Sequence, residues 1–371
     1  MPIKALRWQV MGLGAVAALA FNSCGASGAG TTHSSPAVVS SATIRIGTGL
    51  TPETRHAAYI YQVALQEAGY SAEVVETGRD RSAIFEQMHI DMNSSATAQP
   101  TSTSPDGDAV HITPDLSGDL LLYLTDNGST SPSIINDQRT QAQSRVQATE
   151  QSSQPATSSA WLASATASPS PTNLNVRGLS SNDIVSYVDL ALPDTLELLN
   201  PSAATNRYGY VVTAATAQKY GLGSMSDLGE KCAQLSLVAP DTYTANPSGE
   251  NSLREYYGCM PDQVRTTDER TEQAKQLIRG QTDLAYMFSA SADISANNLT
   301  LLDDPERTQL AQNIVPLVRA GEIPQEARDI IDGVSAQLNT DSLIRLNSLT
   351  SGDNAVSETD AAHFWLSTLR G

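Results

Sequence analysis

Alternation is the strongest constraint on this chain. From Thr43 onward, short runs rich in β-branched and aromatic residues alternate with stretches of helical period, the pattern of an α/β fold. Thr43–Gly47 reads as a strand, followed by a helix over Glu53–Ala68 that places Ala57, Tyr61, Ala64, Leu65 and Ala68 on one face and stops at Gly69. A strand over Ala72–Glu76, a short helix from Asp80 to Met88, a strand over Ala109–Thr113 and a helix ending at Leu124 complete a first unit. A second begins with a helix after Ser180 and a strand over Thr195–Leu199. It continues with strands at Tyr208–Thr213, Leu235–Ala239 and Thr282–Phe288, and with helices at Ala215–Tyr220, Ser248–Tyr257 and Asp268–Arg279. One more apolar run, Asn313–Val318, returns before three terminal helices that start near Pro324, Thr340 and Ser357.

Two stretches break the alternation. Residues 93–108 and 127–176 are dense in Ser, Thr, Ala, Gln and Pro, too poor in large apolar side chains to stabilise a core, and read as solvated insertions. The expected organisation is therefore a signal segment at 1–24, a flexible Ser/Gly/Ala/Thr tether at 25–42, a first lobe from 43–207 plus 312–371, and a second lobe from 208–311.

The beginning of the chain fixes a compartment. Lys4 and Arg7 precede an apolar run from Trp8 to Phe21 that is short for a membrane span and suits an export signal. Ser23-Cys24 resembles a bacterial lipobox, which would lipidate Cys24 and hold the protein on the outer face of the cell membrane. Phe21 and Asn22 depart from the lipobox pattern, leaving plain secretion as the alternative. Cys232 and Cys259 then form an even pair, most simply a disulfide in an exported chain; with no CxxC and no nearby histidine, a metal site is the weaker reading. With 40 acidic against 22 basic residues and a formal charge of −18, a nucleic-acid partner is disfavoured.

Catalytic signatures are missing from the sequence. HExxH, GxSxG, GxGxxG and the phosphate-binding GxxxxGK motif are all absent, and the five histidines have no metal-ligand spacing. Acidic pairs such as Asp303-Asp304 read as solvated loops, and Arg79-Asp80-Arg81 reads as a helix start rather than a ligand clamp. No catalytic residue, cofactor or metal is expected. Several aromatics, by contrast, fall at strand ends, where open α/β sheets form their ligand crevice: Tyr208 begins a strand, Phe288 ends one, and Tyr243 follows another. From pattern alone, core or sheet packing is the commoner role of such residues.

A resemblance separates these readings. Ile44-Arg-Ile-Gly-Thr48, Leu65-Gln-Glu-Ala-Gly-Tyr70 and Ile112-Thr-Pro-Asp-Leu-Ser-Gly-Asp119 resemble the opening lobe of the glycine betaine/choline-type osmoprotectant substrate-binding proteins of ABC transporters. The second half is a closer match, through Asn206-Arg-Tyr-Gly-Tyr210, Met225-Ser-Asp-Leu228, Leu277-Ile-Arg-Gly280, Leu302-Asp-Asp-Pro305, Gln312-Asn-Ile-Val-Pro-Leu317 and Leu338-Asn-Thr-x-x-Leu343.

The resemblance implies a two-lobed type II periplasmic-binding-protein-like α/β fold whose crossing strands act as a hinge. It implies a quaternary ammonium or related solute held by aromatic rings, and the permease subunits of an importer as partners. Carried over by position, the ligand contacts are Thr48, Leu116, Ser117, Tyr208, Tyr243 and Phe288. The chain departs from the family where PEYTGT has its tyrosine (Leu116) and the following threonine (Ser117), where FTEQ has its phenylalanine and glutamine (Thr51 and Thr54), and where RPDG has its arginine (Asn246). These departures leave a second reading open, a surface interaction protein that keeps the scaffold but has a degenerate pocket.

Overall fold

A computed structural model describes residues 43–78, 80–90, 108–132, 135 and 173–370. The signal segment, Cys24 and the tether lie outside the described residues, as does most of both insertions.

Among the described residues, two five-stranded sheets organise the chain. The first contains β1 (Ile44–Gly47), β2 (Ala72–Val75), β3 (Ile112–Leu116), β4 (Leu196–Leu198) and β10 (Ile314–Arg319), in the order β2-β1-β3-β10-β4. The second contains β5 (Tyr208–Thr213), β6 (Ser236–Ala239), β7 (Gln263–Thr266), β8 (Leu284–Phe288) and β9 (Leu299–Leu301), in the order β7-β6-β8-β5-β9. The sheets repeat one topology: parallel pairing joins β2, β1 and β3, and likewise β7, β6 and β8, while β10 and β5 run antiparallel to their neighbours. The chain passes from the first sheet to the second between β4 and β5 and returns between β9 and β10. At this crossing Thr205 and Asn313 form an isolated antiparallel bridge.

Helices cover both faces of each sheet. On the first, α1 (Pro52–Glu67) packs with α9 (Gln325–Ser335), α10 (Thr340–Leu349) and α11 (Glu358–Thr368), while α2 (Arg81–Gln87), α3 (Ser117–Leu124) and α4 (Ser181–Ala191) cover the other face. Leu174 and Val176, read from sequence as part of an insertion, pack on this second cluster, and Leu174 N–H donates to Gly128 O. The second sheet carries α5 (Ala214–Tyr220), α6 (Glu250–Tyr257), α7 (Arg270–Ile278) and α8 (Ala292–Ala296). Cys232 and Cys259 are joined at a Cα–Cα distance of 5.2 Å, pinning the chain after α6 to the turn before β6.

Local chemistry explains most boundaries. Thr51 caps α1 in a reciprocal box with Thr54, Asp80 caps α2 through Ala83 N, and Gly221 ends α5 in the left-handed conformation. The third strand differs from its sequence reading. It continues through Pro114 to Leu116 because β1 pairs with β3 only at Ile112, so the missing proline N–H leaves no ladder bond unmade. Asn339, not Thr340, caps α10, and the Thr340 hydroxyl instead accepts from Thr205 N at the crossing. Strands β7 and β9 and helix α8 were not anticipated: β7 is exposed at all four residues and carries no alternating apolar pattern.

Candidate functional site

Ligand crevices of open α/β sheets lie beyond the carboxyl ends of the parallel strands. Here those ends are Gly47 of β1, Leu116 of β3, Ala239 of β6 and Phe288 of β8, and the two sheets present them to one another across the crossing. Tyr208 and Phe288 sit directly opposite in the β5–β8 register, and Ile314 and Leu116 are the equivalent pair on the first sheet. One wall is therefore aromatic and the other aliphatic, and all four side chains belong to a single apolar cluster that spans the two sheets.

The aromatic wall is a run of stacked rings. Tyr208 stacks on Phe288 with centroids 3.9 Å apart and on Tyr286 at 4.7 Å. Tyr286 in turn leans on Tyr210 at 4.9 Å and meets Tyr243 edge-on at 5.0 Å, and the hydroxyls of Tyr210 and Tyr243 are 3.0 Å apart. Tyr286 also donates to Gln309 Oε1 at 2.9 Å. Burial pushes the phenols of Tyr208, Tyr210, Tyr243 and Tyr286 above their ordinary range, so the wall is neutral and π-rich.

Next to this wall an ion pair fastens the sheets together. Arg270, at the start of α7, donates from Nη1 to both oxygens of Glu53 at 2.7 and 3.0 Å, and its guanidinium lies 4.4 Å above the Phe288 ring. Glu53, in the first turn of α1, is fully buried. Burial would raise its pKa, but Arg270, its own backbone N–H and Asn347 hold it below the usual carboxylate range. Asn347 donates 3.0 Å to Glu53 and 2.8 Å to Ala290 O, bridging the same junction. This pair floors an open cleft of about 440 Å³ between the α1 and α7 N-termini.

A second carboxylate lies beside the aromatic wall. Asp119, in the first turn of α3, accepts from Gln312 Nε2 at 2.5 Å, while its backbone N–H donates to Gln312 Oε1 at 3.0 Å. Asp115 takes the fork of Arg81 at 2.9 and 2.7 Å, leaving Arg81 3.9 Å from Asp119. Burial raises the Asp119 pKa in spite of Arg81 and Gln312. Asp119, Leu122, Tyr208 and Tyr286 line a cavity of about 10 Å³, the space of about one water, so the lobes stand closed against each other here.

The sequence-derived contacts divide between these surroundings. Tyr208, Phe288 and Tyr243 come together in the aromatic wall. Thr48 is buried at the end of β1, where its hydroxyl accepts from Thr77 N and lies 3.0 Å from Thr77 Oγ1. Leu116 is packed in the core opposite Ile314, and the Ser117 hydroxyl accepts from Asn313 N at 3.1 Å. Thr51 and Thr54 serve the α1 cap. Sequence reasoning did not single out Tyr286, Glu53, Arg270 or Asp119. Tyr286 was findable, since it lies two residues before Phe288 on one strand face. Arg270 and Glu53 are 217 residues apart and offered no local signal.

Solved structures share this architecture. A glycine betaine/carnitine/choline ABC transporter structure matches with a TM-score of 0.62 at 15% identity, covering 88% of this chain and 98% of that one. Apo YehZ from Escherichia coli gives 0.54 at 15% identity over 88% and 98%, and lactococcal OpuAC in its closed-liganded conformation with glycine betaine gives 0.50 at 14% over 89% and 96%. At these identities the likeness establishes the two-lobed fold. No curated protein sequence matches significantly. Residues 136–368 match the family profile described as the substrate binding domain of ABC-type glycine betaine transport systems, and the chain belongs to that family.

Proposed function

We propose that this protein is the extracytoplasmic solute-binding component of an ABC importer, held to the outer face of the membrane through Cys24, and that it captures a small quaternary ammonium or related osmoprotectant between its lobes. The observation that carries this reading is the aromatic wall: Tyr208 stacks with two rings of β8, and Tyr208 and Tyr286 line the cavity of the interlobe crevice. Cations bind the faces of such rings by electrostatic attraction to the quadrupole, worth about 0.5–2 kcal/mol per ring. Opening at the Thr205–Asn313 crossing exposes the wall and closure buries the solute, so affinity arises from contacts made in the closed form without chemical change to the solute.

Titration calorimetry with choline, glycine betaine and carnitine tests the proposal. Heat from at least one at micromolar concentration, reduced at least tenfold in affinity by Tyr208→Ala, is expected. Silence from all three favours a surface interaction protein on the same scaffold. For the tether, Cys24→Ser is expected to move the protein from the membrane fraction to the medium; retention on the membrane contradicts lipidation of Cys24.

A further inference from the structure

His56 is a buried titratable side chain that the aromatic wall does not use. It lies in the second turn of α1, 1% exposed, with both ring nitrogens engaged. Nδ1 is 2.7 Å from Glu358 Oε2 at the start of α11, and Nε2 is 2.9 Å from Asn347 Oδ1 on α10. The far side of the Asn347 amide fixes its orientation. Nδ2 donates 3.0 Å to Glu53 Oε1 and 2.8 Å to Ala290 O, and the opposite orientation would set an oxygen against two acceptors. His56 therefore faces an acceptor at each nitrogen. A neutral imidazole has one N–H to give, and the lone pair on its other nitrogen would meet an oxygen inside the fold, so only the imidazolium makes both bonds.

Asn347 in turn holds the junction between the lobes. Glu53 receives Arg270 from the second lobe, and Ala290 follows β8 of that lobe. The charged groups around His56 come from several elements. Glu53 and Arg55 belong to α1, Glu358 to α11, Arg270 to α7 and Asp293 to α8, all lining one cleft, and Arg55 is paired with Glu76. Four carboxylates against two guanidiniums favour a positive ring.

We propose that His56, as an imidazolium, is a positioning residue of the interlobe junction, and that closing the lobes takes up a proton at the His56–Glu358 pair. This rests on the hinged two-lobed reading above but on no particular solute. In the closed form Ala290 O and Arg270 fix the Asn347 amide and the Glu53 carboxylate; once the lobes part, the amide is free to turn and the ring has less need of its second proton. Closure and protonation therefore reinforce each other. The closed form is favoured while the proton is present and loses that advantage as pH rises and the proton leaves.

Two measurements on the solute-free exported protein test this together, with pH raised from about 5 until the His56 ring loses a proton. Nitrogen-15 histidine spectra follow the ring, its signal assigned by its absence from His56→Gln or its shift in Glu358→Gln. Small-angle scattering follows the separation of the lobes. Expected are two protonated ring nitrogens in the compact molecule and an increase in the radius of gyration over the same pH range in which the ring titrates, with secondary structure by circular dichroism retained. A bare ring nitrogen in the compact molecule, a radius unchanged through the titration, or unfolding in place of expansion overturns the proposal. His56→Gln, whose amide keeps an N–H for Asn347 and does not titrate, is expected to give one scattering profile across the range, and the same expansion persisting in it overturns the role of His56. Should His56→Gln lack a cooperative thermal transition, Glu358→Gln decides. Loss of the counter-charge is expected to move the expansion down by about one pH unit or more, and an unmoved expansion overturns the proposal. Neither measurement uses a solute, so silence from choline, glycine betaine and carnitine in calorimetry overturns solute capture and leaves this proposal standing.

Discussion

Glu53 and Asp119 are both carboxylates in the first turns of helices at one crevice, yet they respond to pH in opposite directions. Glu53 has its pKa lowered in the fold, chiefly by Arg270 working against burial, so its contribution is complete above the unfolded value and is lost as pH falls through the folded one. Asp119 has its pKa raised by burial, so its ionisation opposes folding and its destabilising effect grows as pH rises from the unfolded to the folded value. Asp119→Asn keeps the oxygen that Gln312 bonds and removes the charge. It is expected to raise the melting temperature near neutral pH, with a gain on the order of 1 kcal/mol. A lower melting temperature in calorimetric scans would show that the Asp119 charge is well compensated by its surroundings. For Glu53, removing Arg270 is the sharper test. Arg270→Ala leaves a fully buried carboxylate without its cation and should destabilise by about 3–5 kcal/mol in urea unfolding, far more than an exposed pair would. A loss under 1 kcal/mol would mean that the junction opens readily to water.

Elements were legible in the sequence to the extent that their own residues determine them. The helix over Pro52–Glu67 and the strands over Tyr208–Thr213 and Leu284–Phe288 followed from period and caps, because buried elements write their pattern into the side chains. The edge strand Gln263–Thr266 did not, since nothing buries it, and the reach of β3 through Pro114 depends on where its neighbour stops pairing. The same division holds in the site. Tyr208 and Phe288 stood at strand ends and could be named, whereas the Glu53–Arg270 and Arg81–Asp115 pairs exist only through tertiary approach. Helix α3 illustrates such an approach: a Cβ at Gly118 would lie 2.6 Å from Ala311 O and 2.8 Å from Leu310 Cδ2, so the helix start abuts the returning chain. Gly118→Ala is expected to destabilise by about 1–3 kcal/mol in urea unfolding, and a neutral effect would show that the crossing gives way easily. Replacing both Cys232 and Cys259 by serine should cost about 3–4 kcal/mol by the same measurement, from the 27-residue separation they close.

Across the whole molecule, two copies of one sheet topology are joined by a crossing, with one aromatic and one aliphatic wall between them. The rings lie in the second lobe, while the first contributes Leu116, Ile314 and Asp119. That asymmetry fits the departures of Leu116, Thr51 and Thr54 from the family pattern: those side chains serve the first lobe's core and the α1 cap. No helix among the described residues is long and apolar enough to cross a membrane. The most direct test is a crystal structure grown with choline at neutral pH. The ammonium is expected within about 6 Å of the Tyr208 or Tyr286 ring centroid, with both lobes in contact with it. Choline bound away from these rings, or touching only one lobe, would contradict solute capture at this crevice.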